Sequence, residues 1–233
     1  MAALPRVLVV QHEDDCPAAM IEPWLARAGL GCDVLQAHHG RALPASLGGH
    51  AGLVVMGGRM GAYDDVQHRH LVPTKGLIAG TVAAGLPFLG ICLGHQLATV
   101  ALGGQVEPNP RGRTIGLQPW APTRAGARDR LTSTLPQGTP VLHWNNDVAT
   151  RLPRTATLLA SAPDGSVQAA RFAPRAWGVQ FHPEVTPAVV DRWREDHDPA
   201  RERQTLDALT TRRAELHRAW ERLLRRFAKI TLG

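Results

Sequence analysis

PFLGICLGHQ, residues 87–96, is the stretch from which the rest of the chain can be read. A short apolar run, PFLGI, breaks at Cys92, which sits between Gly90 and Gly94, and the helix-compatible segment LGHQLATVAL follows. Strand, sharp turn and helix make an elbow whose central residue is held in a strained backbone conformation, so its close neighbours must be small. The turn puts Cys92 at the carboxyl edge of a sheet and at the N-terminus of a helix. There the free N–H groups and the helix dipole favour an anion and draw a thiol toward thiolate. The competing reading is a core cysteine, since free cysteine is among the most buried residue types.

Working outward, RVLVVQ (6–11), CDVLQA (32–37) and GLVVMGG (52–58) are further short β-branched or apolar runs. Helix-compatible segments, Ala18 to Ala28 and Val66 to Ala84, lie between the first two runs and between GLVVMGG and PFLGIC. That alternation predicts βαβ units and a mostly parallel sheet covered on both faces. After Gly104 the runs TIGLQPWAP, TPVLHWNN, TATLLASA, SVQAARFA and AWGVQFH follow closely, with PQG and PDG among the turns, and read as hairpins and mixed-sheet strands. A long C-terminal helix is expected over about 187–230. Leu206, Leu209, Leu216, Trp220, Leu223, Phe227 and Ile230 form its stripe, and Arg213 takes the one polar place. The stripe packs on the domain's own core or forms a dimer seam, so monomer and homodimer both stay open.

At 233 residues, without a Pro- or Ser/Gly-rich linker, the whole of 1–233 reads as one domain with a core over about 6–190. The formal charge is +6, but only Lys75 and Lys229 are lysines and the arginines are scattered from Arg6 to Arg226. The densest stretch interleaves Arg with Asp and Glu, as a solvated helix face does, and no aromatic-rich basic module accompanies it; no nucleic-acid partner is expected. No apolar run approaches the roughly 20 residues of a membrane helix, and the N-terminus shows no secretory h-region, so no membrane association is expected. Cys16, Cys32 and Cys92 are odd in number and lack CxxC spacing, which implies neither a disulfide framework nor a zinc site and fits a reducing cytoplasm. No cofactor is implied, and no metal.

Two further stretches carry chemistry. In AWGVQFHPEV (176–185) an apolar strand is expected to end at His182. Pro183 biases His182 to an extended backbone, which puts His182 and Glu184 on one side of the chain. A carboxylate beside an imidazole fixes its tautomer and stabilises the imidazolium, so Cys92, His182 and Glu184 read as nucleophile, base and orienter. In GLVVMGGRMGAYDD (52–65) an apolar strand opens into a loop with glycines at 57, 58 and 61. Exposed N–H groups there, with that of Leu93, suit an oxyanion; neither GxGxxG nor GxxxxGK[ST] is present, which argues against nucleotide binding.

With these motifs in order, GICLGHQL resembles the nucleophile elbow of class I glutamine amidotransferases, VVMGGRMGAYDD their oxyanion loop and WGVQFHPEV their His/Glu segment. The chain is similar to stand-alone proteins resembling the amidotransferase domain of GMP synthase. The resemblance implies a flavodoxin-like three-layer α/β sandwich and hydrolysis of glutamine through a γ-glutamyl thioester at Cys92. It makes the N–H groups of Gly58 and Leu93 the oxyanion donors and assigns Gly57, Arg59, Gln96, Asn145, Asn146 and Asp147 to the substrate. Ammonia would pass to a separate acceptor enzyme. Two positions depart from the family pattern: Arg59 stands where proline is common after the glycine pair, and Asn145 where histidine is. A γ-glutamyl amide or peptide is therefore an alternative substrate. The chain order Cys92, His182, Glu184 speaks against an α/β-hydrolase, and a retained triad against a silent binding subunit.

Overall fold

The computed structural model describes residues 4–195 and 198–233. The first half alternates as expected: β1 (Arg6–Gln11), α1 (Ile21–Arg27), β2 (Gly31–Gln36), β3 (Gly52–Val55), α2 (Leu71–Ala83), β4 (Phe88–Ile91) and α3 (Leu93–Ala101). Short strands follow: β5 (Gln105–Pro108), β6 (Thr114–Pro119), β7 (Pro140–Asn145), β8 (Asp147–Arg151), β9 (Thr157–Ser161), β10 (Val167–Ala173) and β11 (Ala176–Val179). The chain ends with α4 (Pro187–Asp191), α5 (Pro199–Thr211) and α6 (Arg213–Leu232).

The main sheet has seven strands in the order β2-β1-β3-β4-β11-β10-β9. It is parallel from β2 through β11, and β10 and β9 continue it antiparallel. Side chains alternate across β1: Val7 and Val9 pack with Ile21, Trp24 and Phe227 on one face, while Leu8 and Val10 pack with Leu71, Ile78 and Leu97 on the other. Period-2 alternation with both faces apolar is what a sheet covered on both sides requires. The result is the flavodoxin-like sandwich. The pairs β5–β8 and β6–β7 stand apart from this sheet as two-stranded ladders; β5 and β8 are strands that the sequence pattern did not disclose.

Two expectations need correction, and one alternative is resolved. The strand in AWGVQFHPEV ends at Val179, not at His182. His182 lies beyond the main sheet, where its N–H donates to the Leu142 carbonyl of β7 at 2.8 Å. The C-terminal segment is also not one helix over 187–230: α4 ends at Asp191, α5 begins only at Pro199, with residues 196 and 197 outside the described residues, and a further break falls at Arg212, beside the polar gap at Arg213. α5 lies along β6 and buries Glu202, Thr205 and Leu209, whereas α6 packs on α1 and buries Leu216, Trp220, Leu223 and Phe227. Each half follows a different surface, so one straight axis would leave part of the stripe in water. Finally, the stripe of α6 is consumed by this chain's own core, which removes the reason to read it as a dimer seam. Among the described residues no helix is long and apolar enough to cross a membrane.

Candidate active site

The elbow forms because backbone meets backbone. A Cβ on Gly94 would lie 2.1 Å from the Val55 carbonyl oxygen of β3, and one on Gly90 would lie 2.5 Å from the Gly94 carbonyl oxygen. Only hydrogen fits at either place. Between them Cys92 adopts φ 50° and ψ −106°, a strained conformation for a residue with a side chain. Its N–H is held by the Val179 carbonyl at 2.8 Å, which ties β4 to β11 at the turn, and it stands as the cap before α3.

The β4–β11 pairing brings the third motif to the first. His182 and Glu184 are 2% and 1% exposed, and His182 Nδ1–H donates to Glu184 Oε1 at 2.7 Å. Glu184 is itself anchored through its carbonyl, which accepts from Met20 N–H. Burial works against a charged His182, but hydrogen bonding and charge from Cys92 and Glu184 outweigh it, and its pKa is pushed up to about 10. An imidazolium paired with a carboxylate on one side and a sulfur on the other is the electrostatic arrangement that activates a thiol.

These groups open onto a cleft of about 400 Å³. Cys92, His182, Gly58, Arg59, Gln96, Asn145, Asn146 and Asp147 all line it. Gly57 does not. It backs the His182 ring, where a Cβ would come within 2.9 Å of Cε1. The N–H of Leu93 stands at the first position of α3, and among the described residues the N–H groups of Gly58 and Leu93 make no loop, cap or side-chain hydrogen bond. Arg59 is tethered: it reaches Glu195 at 3.5 Å and Asp15 at 3.8 Å, and donates to the Arg192 carbonyl at 3.0 Å. Its N–H donates to Glu13 Oε1 at 2.8 Å. Gln96 spends its amide N–H groups on the Asp147 carbonyl and on Gln180 Oε1, and Asn145 donates to the same Asp147 carbonyl. Both therefore hold the wall of the cleft. Asp147 is half-buried; burial first, then the charge of Asp64, raises its pKa, so these two acids meet on one side of the cleft.

Several residues were not singled out from the sequence. Gln180 is fully buried and donates to Cys92 Sγ at 3.5 Å, so it links the sulfur through Gln96 to Asp147. Its signal was a lone polar residue in the apolar run of AWGVQFH. Trp193 lies against the His182 ring, 4.6 Å between centroids, and Trp144 lies 6.0 Å beyond it. Cys16 also lines the cleft, but burial and then Glu13 push its thiol pKa up, so it stays protonated and unreactive. Among the described residues one group, Asp14, His38 and His39, brings possible metal-ligand atoms within 4.8 Å of one another; none of the three lines the cleft.

Residues 20–192 match the family Glutamine amidotransferase class-I. The GMP synthase [glutamine-hydrolyzing] of Aeropyrum pernix is 32% identical over 196 residues, covering 81% of this chain and 36% of that enzyme; the chain spans about a third of its length. The gamma-glutamyl-L-1-hydroxyisopropylamide hydrolase of a Pseudomonas species is 29% identical over 153 residues, covering 63% of this chain and 51% of that one. A glutamine amidotransferase crystal structure from Thermotoga maritima superposes with a TM-score of 0.86 at 27% identity, covering 97% of this chain and 98% of its own. Sequence, fold and the elbow at the carboxyl edge of the sheet agree: the chain belongs to the class I glutamine amidotransferase family.

Proposed function

We propose that this chain hydrolyses γ-glutamyl amides through a thioester on Cys92, with His182 as acid and base and Glu184 as the group that orients it. The observation that carries the reading is the buried His182–Glu184 pair, 2.7 Å apart, interacting with a cysteine at a helix N-terminus. Cys92 gives its thiol proton to His182, whose raised pKa holds it. The sulfur attacks the γ-carbonyl carbon, and the oxyanion that forms meets the N–H groups of Gly58 and Leu93. The C–N bond breaks as His182 gives its proton to the departing nitrogen. Water, deprotonated by His182, then attacks the thioester; the S–C bond breaks and glutamate leaves. Asp64 and Asp147 supply negative charge for the substrate's α-ammonium group. With glutamine the first product is ammonia, taken up by a separate acceptor enzyme in the cytoplasm.

A second reading keeps this chemistry and takes amides larger than glutamine. The cleft volume of about 400 Å³ favours it, since sites of roughly 300–1,000 Å³ hold ligands well above glutamine in size. The name of the Pseudomonas relative is of that kind. Purified protein incubated with glutamine and a panel of γ-glutamyl compounds should release glutamate and carry a γ-glutamyl mass adduct, both absent in Cys92→Ser. No release and no adduct with any member of the panel would sink the proposal.

A further inference from the structure

We infer that Asp14, His38 and His39 bind one divalent transition-metal ion of the zinc class, at a site outside the catalytic cleft. The inference does not rest on the proposed function. The ligands reach one another from two strand ends, 24 residues apart in sequence between Asp14 and His38, so the histidine pair at 38–39 shows no metal spacing until the chain is folded.

The sheet register assembles the cluster. β1 and β2 run parallel and pair Gln11 with Gln36 at their last residues, so the segments that leave the two strands start side by side. After β2 the chain makes a single 3-10 turn, Ala37–His39, which Gly40 ends at φ 73°. That turn brings the rings of His38 and His39 to 4.1 Å between centroids. Their Nε2 atoms meet the same oxygen, Asp14 Oδ1, at 3.0 and 3.5 Å, and one ligand atom from each residue lies within 4.8 Å of the other two. In a tetrahedral site with bonds of about 2.0–2.1 Å, neighbouring ligand atoms stand about 3.4 Å apart. Two edges of the cluster are already near that value. The side chains of Asp14 and His39 are 69% and 49% exposed, so an ion enters from water and both can turn to close the third edge.

The chemistry selects the ion. His38 Nδ1 lies 3.4 Å from the Gln11 carbonyl oxygen, which can only accept, so the ring hydrogen belongs on Nδ1. In a neutral ring Nε2 then turns its lone pair toward a carboxylate oxygen, and two acceptors face each other. A cation between them removes the conflict. A backbone carbonyl behind Nδ1 is also how a ligating histidine is held in orientation. Two imidazoles and one carboxylate suit zinc, cobalt or nickel and leave a coordination position for water, whereas magnesium and calcium prefer oxygen ligands throughout. A proton on Nε2 of His38 is the rival occupant, and it would make the cluster an ion pair that takes no metal from solution. A bound ion would tie the loop after β1 to the turn after β2; since the unfolded chain lacks the assembled site, the ion would stabilise the fold.

The test uses the full chain freed of metal by a chelator, in a Cys92→Ser background so that the catalytic sulfur takes no ion. Calorimetry with zinc chloride near neutral pH should show one ion per chain, and cobalt chloride should give the visible absorption of a four-coordinate ion. Asp14→Asn, His38→Ala and His39→Ala should each weaken zinc at least about 10-fold. His68→Ala, which borders the same depression as His38 but lies outside the cluster, should leave the affinity unchanged. Zinc should raise the melting temperature of the parent chain and not that of a chain carrying both Asp14→Asn and His39→Ala; both positions are exposed, and circular dichroism checks that the variants fold. No zinc bound by the parent chain, as the ion-pair occupant requires, would overturn the site. So would undiminished binding in the three ligand variants, or magnesium chloride binding as tightly as zinc.

Discussion

Two histidines stand beyond the carboxyl ends of strands in the same sheet, His12 after β1 and His182 after β11, and both are buried. They differ in charge. His12 stacks on His70 at 5.2 Å, and among the described residues neither of its ring nitrogens has a hydrogen-bond partner. Burial, reinforced by the neighbouring histidines His70, His38 and His68, drives its pKa down to about 3. At His182 burial pulls in the same direction, yet Cys92 and Glu184 reverse it and push the pKa up to about 10. The lesson is that burial by itself empties an imidazole of charge, and that the facing cysteine together with the acid two residues along the chain decides whether the ring can serve as a proton donor.

The comparison can be broken most directly at its anions. Cys92→Ser removes both the nucleophile and one source of negative charge. Glutamate release should fall by about 10⁴-fold or more, and the His182 ring should titrate at lower pH when followed by NMR. Glu184→Gln leaves the ring without its carboxylate; kcat/KM should drop roughly 10²- to 10⁴-fold, and alkylation of Cys92 by iodoacetamide should move to higher pH. An unchanged alkylation profile would mean that Glu184 does not set the charge of the pair. At the backbone, Gly94→Ala should cost about 1–3 kcal/mol or more by overpacking, because its Cβ would sit 2.1 Å from the Val55 carbonyl oxygen; urea unfolding would measure it.

Stability against pH sharpens the comparison with the smallest effect. His182 holds its proton in the folded chain up to about pH 10, against an ordinary value of 6.5, so its contribution is full below about 6.5 and lost as pH rises toward 10. For His12 and His95 the sign is opposite. Unfolded imidazoles bind protons below about 6.5 while the folded ones resist until about 3 and 4, so stability falls as pH drops through that window. His95→Leu, at a site where both ring nitrogens lack partners among the described residues, should shrink the difference in urea midpoint between pH 7 and pH 5. A difference as large as the wild type's would show that His95 is protonated in the fold.

The elbow was legible in PFLGICLGHQ because its requirement is local: one turn, two neighbours that can only be glycine, and a helix behind them. His182 and Glu184 were legible because proline and a two-residue spacing act within one short segment. Arg59 was legible as a departure from the family pattern, but its ties to Asp15, Glu195 and the Arg192 carbonyl were not. They join segments more than 40 residues apart in sequence. The break at Arg212 escaped because the stripe of leucines runs across it, and only the surfaces beneath, β6 for α5 and α1 for α6, require two axes.

By itself the sequence determined the alternating α/β order, the strained turn at Cys92 and the pairing of His182 with Glu184, since each follows from backbone preferences and side-chain spacing over a few residues. The tertiary structure alone decided that Gln180 reaches the sulfur, that Trp193 lies against His182, and that His38 and His39 meet Asp14. Those contacts depend on β4 lying beside β11 and on the β1–β2 register. Such registers are set by packing of the whole core, and no local spacing encodes them.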